Sequence, residues 1–150
     1  MIYLGLGSNQ GDRRSLLEQA IILIAEDVGP IVACSSFLET EPWGFHSEHL
    51  FLNAVVAVSS DLSPWAVLKA TQKIEQKLGR KKKSAGGHYQ DRPIDIDILL
   101  YNDLVIHEKK LNIPHPRLLE RQFVVKPLLE IAPGIVHPEH KKKIAELILS

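Results

Sequence analysis

The sequence predicts an α+β sandwich, in which a mostly antiparallel β-sheet packs against flanking helices. Two observations predict this fold class. The predicted elements follow the order βαββα, with two more strands and terminal helices behind them. Between Ile94 and Ile98, apolar and acidic residues alternate strictly, which is the pattern of a strand with one buried face. A chain of 150 residues has the length of one domain, so we expect residues 1–150 to form a single unit.

The first half of the chain contains residues typical of helix ends, and they indicate where its first helix begins and ends. Asp12 is a suitable N-cap for a first helix, and Gly29-Pro30 would end it. The apolar stripe of that helix would consist of Leu16, Leu17, Ala20, Ile21, Ile24 and Val28. Strands are expected over residues 2–6, 31–40 and 51–59, with a loop over residues 41–49. The third of these strands is apolar enough to lie in the centre of the sheet.

The second half of the chain begins with a helix from Ser63-Pro64 to about Leu78, closed by Gly79. A basic loop over residues 80–92 leads into the strand that contains Asp95 and Asp97, which we call the acidic strand. Residues 104–106 are expected to pair with that strand across a turn at Asn102-Asp103. A short helix would follow Pro114-His115-Pro116 and end near residue 126, and a last helix would span about residues 141–149.

The composition excludes several classes of protein. A hydrophobic fraction of 45% argues against a disordered chain, and the balance of 18 basic and 18 acidic residues gives no general attraction to nucleic acid or membrane. The N-terminus does not resemble a signal peptide, and no apolar run approaches the roughly 20 residues of a membrane span. The single cysteine, Cys34, excludes an intramolecular disulfide and fits the reducing cytoplasm, and we expect it to be buried filler.

The acidic strand carries the strongest chemical signal. Asp95 and Asp97 would share one face, with their α-carbons roughly 7 Å apart, because successive strand residues point to opposite sides. Two neighbouring carboxylates repel each other unless a cation lies between them. Magnesium is bound through carboxylates and substrate phosphates, so we favour a metal–nucleotide site. The alternative is an ordinary sheet face with two solvated acids.

The loop before this strand carries four consecutive cationic residues, Arg80 to Lys83. A triphosphate would neutralise them, whereas the usual interpretation of such a run is a solvated loop or a weak nucleic-acid patch. Arg92 is either a fixed guanidinium for a phosphate oxygen or a salt-bridge partner of Asp91 or of an acid at the end of the strand. Proximity to the acidic pair supports the phosphate interpretation, since phosphoryl transfer uses metal and cationic side chains together.

Other patterns are less specific. The segment Gly5-Leu6-Gly7-Ser8-Asn9-Gln10-Gly11 departs from a dinucleotide fingerprint, and we interpret it as a tight turn after the first strand. The histidine pairs at residues 46 and 49 and at 137 and 140 lack cysteine partners, so surface or turn positions are favoured over zinc. His115, held between two prolines, is the best functional candidate among the seven histidines.

Taken together, these residues resemble the 6-hydroxymethyl-7,8-dihydropterin pyrophosphokinase family. The resemblance is carried by Leu4-Gly5-Leu6-Gly7-Ser8-Asn9-Gln10, by Asp91-Arg92-Pro93-Ile94-Asp95-Ile96-Asp97 and by Pro114-His115-Pro116. Shorter matches occur at residues 35–37, 51–54, 72–75, 79–80, 121–123 and 127–133. It therefore covers nearly the whole chain, in order.

The resemblance implies a ferredoxin-like α/β sandwich and transfer of pyrophosphate from ATP to the 6-hydroxymethyl group of the pterin, giving AMP, in folate biosynthesis. Asp95 and Asp97 would hold two Mg²⁺ ions, and Arg80 and Arg92 would stabilise the transferring group. The implied ATP-binding residues are Gln72, Glu75, Ile98, Lys110, His115 and Arg121. The implied pterin-binding residues are Thr40, Trp43, Phe51, Asn53 and Phe123.

Two other functions stay open on the residues alone, namely a non-catalytic nucleotide- or RNA-binding module and an ordinary kinase for another small alcohol. The acidic pair argues against the first, because carboxylates repel a nucleic-acid backbone. For the pyrophosphokinase we expect a monomer that binds neither nucleic acid nor membrane, and a lid at residues 80–90 that closes over bound substrates.

Overall fold

The computed structural model describes residues 1–41, 50–79 and 93–148. Its centre is a five-stranded sheet composed of β1 (Ile2–Ser8), β2 (Ile31–Cys34), β3 (Leu38–Thr40), β4 (Phe51–Val58) and β5 (Asp95–Tyr101). Every strand pair is antiparallel, and β4 lies between β1 on one side and both β2 and β3 on the other. The predicted α+β sandwich and the central position of the third predicted strand are confirmed.

One face of the sheet packs against two helices, α1 (Arg13–Asp27) and α2 (Pro64–Lys77). The predicted caps are present, since Asp12 accepts a hydrogen bond from the Ser15 backbone at 3.1 Å and Ser63 accepts one from Ala66 at 3.2 Å. The core on this face contains Ile2, Leu4, Leu6, Leu17, Ala20, Ile24, Val28, Ala54, Val56, Val58, Val67, Ile74, Ile94, Ile96 and Ile98. We call this side the helical face.

The opposite face is covered over part of its area by α3 (Gln122–Ile131) and α4 (Ile144–Leu147), with a 3-10 turn at Leu118–Glu120. These elements pack on Val55, Leu99 and Leu100. The pairing of β1 with β5 shifts register between Tyr3 and Leu4, which pair with Leu100 and Ile98. The extra residue in β5 is a bulge, so Leu99 and Leu100 both belong to this second core.

Two hairpins complete the described chain, and one corrects the sequence interpretation. The strand expected at residues 104–106 does not pair with the acidic strand. Instead β6 (Ile106–Glu108) pairs with β7 (Leu111–Ile113). The turn directly after β5 contains Asn102, whose φ is 50°. A local turn after a strand predicts a hairpin, but which strand the next one joins depends on distant contacts.

Other boundaries also differ from expectation. The strand predicted over residues 31–40 is two strands, because the chain between them is bound to α3: the backbone N–H and the hydroxyl of Ser36 each donate to the Glu130 carboxylate at 2.5 Å. The helix expected to end near residue 126 continues through Pro127 to Ile131, since its apolar side is buried. Within the described residues, the last helix is limited to α4 and follows a hairpin of β8 (Val136–His137) and β9 (Lys142–Lys143).

The expected buried position of Cys34 is wrong. Cys34 is exposed on β2, where half-buried and exposed residues alternate because β2 lies at an edge of the sheet. Within the three described ranges, no helix has both the length and the apolar character required to cross a membrane.

Candidate active site

A pocket opens where the second face of the sheet is left uncovered, beside the N-terminal end of α3. Its empty volume, including the open mouth, is about 590 Å³. Four strands contribute to its lining, and so do the residue that follows β3 and the N-terminal end of α3 with the residue before it. The lining residues are Gly5, Leu6, Gly7, Thr40, Glu41, Phe51, Asn53, Ala54, Asp95, Asp97, Arg121, Phe123 and Val124.

Two glycines of β1 form the floor of this pocket. Gly5 is paired with Asp97 and Gly7 with Asp95, so no side chain of β1 stands beside the carboxylates. On the other side Gly7 is paired with Asn53, and a Cβ added at Gly7 would meet the Asn53 Oδ1 at 2.9 Å. Both glycines lie within β1, so the interpretation of their segment as a tight turn after the strand is wrong for them. Glycine inside a strand pattern is a known sign of close approach, and that signal could have placed them in the site.

The acidic pair occupies one wall, as the alternation predicts. Asp95 and Asp97 are half-buried on the pocket side of β5, while Ile94, Ile96 and Ile98 are buried on the helical face. The Asp97 Oδ2 lies 3.5 Å from the Arg121 Nη1 and 4.0 Å from the His115 Nε2. Arg121, the residue that precedes α3, thus places a positive charge beside the Asp97 carboxylate.

His115 is a neutral member of this group. Burial, followed by the charge of Arg121, lowers its pKa to about 4, although Asp95 acts in the opposite direction. Its Nδ1 accepts a hydrogen bond from the Arg117 backbone at 3.1 Å, so the neutral ring carries its proton on Nε2. The 4.0 Å contact with Asp97 is therefore between a neutral imidazole N–H and a carboxylate and is not an ion pair at neutral pH.

The opposite wall contains the expected pterin-binding residues that the structure describes. Thr40, Phe51, Asn53 and Phe123 all line the pocket. Asn53 is only 5% exposed, and its amide donates to the Thr40 Oγ1 at 2.7 Å. The guanidinium of Arg121 lies 5.8 Å from the centre of the Phe123 ring, which connects this wall to the acidic one.

The expected nucleotide-binding residues divide into two groups. Arg121 and His115 lie at the acidic pair, whereas Glu75 and Ile98 are buried on the helical side of β5. The Glu75 Oε2 accepts a hydrogen bond from the Ile96 backbone at 2.7 Å. Gln72 is half-buried on α2, and Lys110 is exposed in the turn between β6 and β7. None of these last four residues lines the pocket.

Three expected site residues, Trp43, Arg80 and Arg92, lie outside the described residues, and so does the expected lid at residues 80–90. The described ranges contain no cluster of three or more His, Cys, Asp or Glu side chains arranged to hold a metal. The acidic pair is therefore a two-carboxylate donor set. Such a set fits Mg²⁺, which is usually held by one or two carboxylates and completes its coordination with water and substrate phosphates.

The residues from 3 to 133 match the sequence profile of the 7,8-dihydro-6-hydroxymethylpterin-pyrophosphokinase (HPPK) family. The chain belongs to this family. It is 52% identical over 140 residues to 2-amino-4-hydroxy-6-hydroxymethyldihydropteridine pyrophosphokinase of Porphyromonas gingivalis, covering 93% of this chain and 95% of the relative. The same enzyme of Aquifex aeolicus is 44% identical, over 97% of this chain and 88% of the relative.

Solved structures agree on the fold. The wild-type HPPK-DHPS protein of Plasmodium falciparum superposes with a TM-score of 0.77 at 16% identity, over 99% of this chain and 44% of that one. A second wild-type structure of that protein, with SDX-DHP, gives a TM-score of 0.78 at 16% identity, over 99% and 43%. The chain thus spans less than half the length of these proteins and has the fold of an HPPK domain.

Proposed function

We propose that the pocket described above is the active site of an HPPK reaction and that its two walls separate the two substrates. As a member of the family, the chain transfers pyrophosphate from ATP to the 6-hydroxymethyl group of 6-hydroxymethyl-7,8-dihydropterin in folate biosynthesis. The observation that carries the assignment is the position of the acidic pair, across the pocket from a wall of aromatic and amide side chains and with Arg121 and His115 beside Asp97.

The wall formed by Thr40, Phe51, Asn53 and Phe123 is proposed to bind the pterin. A flat heterocycle favours aromatic faces, and Phe51 and Phe123 supply them. A ring edge with alternating donors and acceptors needs an amide partner, and Asn53 is held for that role by its bond to Thr40. Trp43 stays a proposed member of this wall from the sequence.

Asp95 and Asp97 are proposed to hold two Mg²⁺ ions together with the phosphates of ATP. Bound magnesium neutralises phosphate charge as it develops during transfer. In this chain Asp95 and Asp97 would supply the protein ligands, and Arg121 would hold Asp97 in place while presenting a cation to the phosphates. Arg80 and Arg92 are proposed to stabilise the transferring group, on the evidence of the sequence alone.

The nucleotide is proposed to lie along β5 on the side of the β6–β7 hairpin. Lys110 in the hairpin turn and His115 would contact it directly, together with Gln72 on α2. The Ile96 backbone N–H points away from β1, toward Glu75. Because strand residues alternate, the Ile98 backbone shares that outer side and can meet a ligand, although the Ile98 side chain is buried. On the sequence alone, the protein is proposed to act as a monomer.

The identity of the product tests this proposal. Incubation with Mg-ATP and 6-hydroxymethyl-7,8-dihydropterin should give AMP in amounts equal to the pterin consumed. Formation of ADP would instead identify an ordinary kinase, and absence of turnover combined with magnesium-independent, salt-sensitive RNA binding would identify a nucleic-acid module.

The division between the walls is tested by calorimetry. Asn53→Ala should weaken pterin binding, measured with a non-hydrolysable ATP analogue present, while leaving the affinity for the Mg-bound analogue nearly unchanged. Equal losses for both ligands would show that Asn53 has a structural role and would reject the proposed pterin wall.

A further inference from the structure

Arg13, the first residue of α1, connects this helix to β3 and to the residue that precedes β4, at the edge of the proposed pterin wall. Its Nη1 donates to the Leu50 carbonyl oxygen at 2.8 Å, and its Nη2 donates to the Glu39 Oε2 at the same distance. One guanidinium therefore contacts two segments that are distant in sequence. We call this pair of contacts the Arg13 bridge.

The two partners of the bridge directly precede residues of the pterin wall. In the pairing of β3 with β4, Thr40 is opposite Phe51 and Glu39 is opposite Leu52. Glu39 comes just before Thr40, and Leu50 comes just before Phe51. The bridge therefore lies at the end of the strand pair where the chain leaves and re-enters the sheet.

This end of the sheet is formed by a short strand. β3 is three residues long and pairs with β4 alone within the described chain. So short a strand contributes few ladder bonds. The planar guanidinium has donors in a rigid fork, and its simultaneous bonds to a carbonyl and a carboxylate fix the distance between the strands more tightly than a flexible ammonium would.

We propose that Arg13 is a positioning residue for pterin binding. It does not line the pocket. It acts through β3 and β4, holding Thr40 and Phe51 at the spacing at which Thr40 can orient the Asn53 amide. A wall held in its binding conformation loses less entropy when the ligand binds, so the bridge increases affinity for the pterin without touching it. This inference rests on the assignment of the pterin wall made above.

The neighbouring residue Arg14 provides a matched control. Arg14 lies on the same turn of α1, but it pairs with Glu18 at 3.6 Å and lies over the Phe37 ring, away from the bridge. Arg13→Ala should weaken pterin binding about tenfold, measured by calorimetry with a non-hydrolysable Mg-ATP analogue present. Affinity for that analogue and kcat at saturating pterin should stay within about twofold, so the loss should appear in KM. Arg14→Ala should change none of these quantities.

Glu39→Gln keeps the size of the side chain and an acceptor oxygen but removes the charge, so it should give the same pattern with a smaller loss. Unchanged pterin affinity in a folded Arg13→Ala protein would overturn the inference, as would equal losses for pterin and nucleotide. Asn53→Ala, measured in parallel, separates the two proposals. If Asn53→Ala weakens pterin binding and Arg13→Ala does not, the wall is correct and the bridge has no positioning role. If neither variant changes pterin binding, both assignments are wrong.

Discussion

The two faces of the central sheet differ in what their side chains do, although the same strands supply both. On the helical face, β1, β4 and β5 present Leu4, Val56 and Ile96, which are 0%, 0% and 6% exposed beneath α1 and α2. On the other face, α3 covers only part of the same strands. The uncovered part presents glycine, amide and carboxylate groups to the pocket.

This difference shows how a strand period of two separates stability from chemistry. A carboxylate placed in the hydrophobic core would destabilise the protein. On β5 the acids avoid this, because they point to the pocket while the isoleucines before and after each of them are buried on the opposite face. We therefore expect substitutions on the pocket side to reduce activity without much loss of stability, and substitutions on the helical face to do the reverse.

The acidic pair should give the largest effect. Asp95→Ala or Asp97→Ala should reduce kcat by about a thousandfold, since each removes a proposed metal ligand whose contribution to transition-state stabilisation is about 4 kcal/mol. The free energy of unfolding, measured by urea titration, should be almost unchanged. A variant with near-normal turnover and unchanged circular dichroism would contradict the metal assignment.

Leu4→Ala should have the opposite profile. Leu4 is fully buried beside Val56 and Ile98, so truncation should cost about 3 kcal/mol of unfolding free energy through lost burial and a cavity. Under conditions where the variant is folded, its KM for both substrates should match the parent protein. A large rise in KM with little loss of stability would show that the helical face also shapes the site.

A change at Glu75 should affect both activity and stability. Glu75 lies on the helical side of the sheet, but it is hydrogen-bonded to the strand that contains Asp95 and Asp97. Glu75→Ala leaves the Ile96 N–H without this acceptor, and we expect a loss of about 2 kcal/mol in unfolding free energy together with reduced turnover. Glu75→Gln retains an acceptor oxygen and should restore most of the stability. If Glu75→Gln is as unstable as Glu75→Ala, the stabilisation comes from the charge of Glu75 and not from its hydrogen bond to the Ile96 backbone.

Gly7→Ala tests the floor of the pocket. The added Cβ would lie 2.9 Å from the Asn53 Oδ1, so the amide must move. Pterin affinity should fall about tenfold, equivalent to about 1.4 kcal/mol, while nucleotide affinity is retained. Gly134→Ala is a suitable control, because an added Cβ there meets no atom within 4 Å. Unchanged pterin binding in Gly7→Ala would show that the glycine floor does not define the wall.

The smallest effect concerns His137, which lies in the β8–β9 hairpin and does not line the pocket. Burial and the nearby His140 ring, whose centroid is 4.6 Å away, lower the pKa of His137, and Glu139 acts in the opposite direction. Since the folded-state pKa lies below the 6.5 of an exposed histidine, the unfolded chain binds the proton more readily. The stabilising contribution is complete above pH 6.5 and is lost as the pH falls through the lowered value.

A pH series of urea titrations checks this. His137→Asn keeps an acceptor for the Glu139 and His140 backbone N–H groups, which bond to the His137 Nδ1 at 3.2 and 3.3 Å, but it cannot titrate. The variant should show a smaller loss of stability below pH 6.5, with unchanged activity. An identical pH dependence in both proteins would assign the loss to other groups.

Features that depend on neighbouring residues could be predicted without the structure. The alternation around Asp95 and Asp97, the caps at Asp12 and Ser63, and the apolar third strand each follow from local periodicity or backbone chemistry, so they could be predicted. The family resemblance likewise depends on the order of residues, and four of the residues that it groups, Thr40, Phe51, Asn53 and Phe123, line the same pocket.

Contacts between distant residues could not be predicted in this way and are known from the folded structure. The bond of Glu75 to the Ile96 backbone, the bond of Glu130 to Ser36 that divides a predicted strand, and the pairing of β6 with β7 join residues that no local pattern relates. The position of Arg121 beside Asp97 has the same origin. Side chains meet across such separations because burial and hydrogen-bond satisfaction are optimised over the whole fold, and that condition is set by packing rather than by any short stretch of the chain.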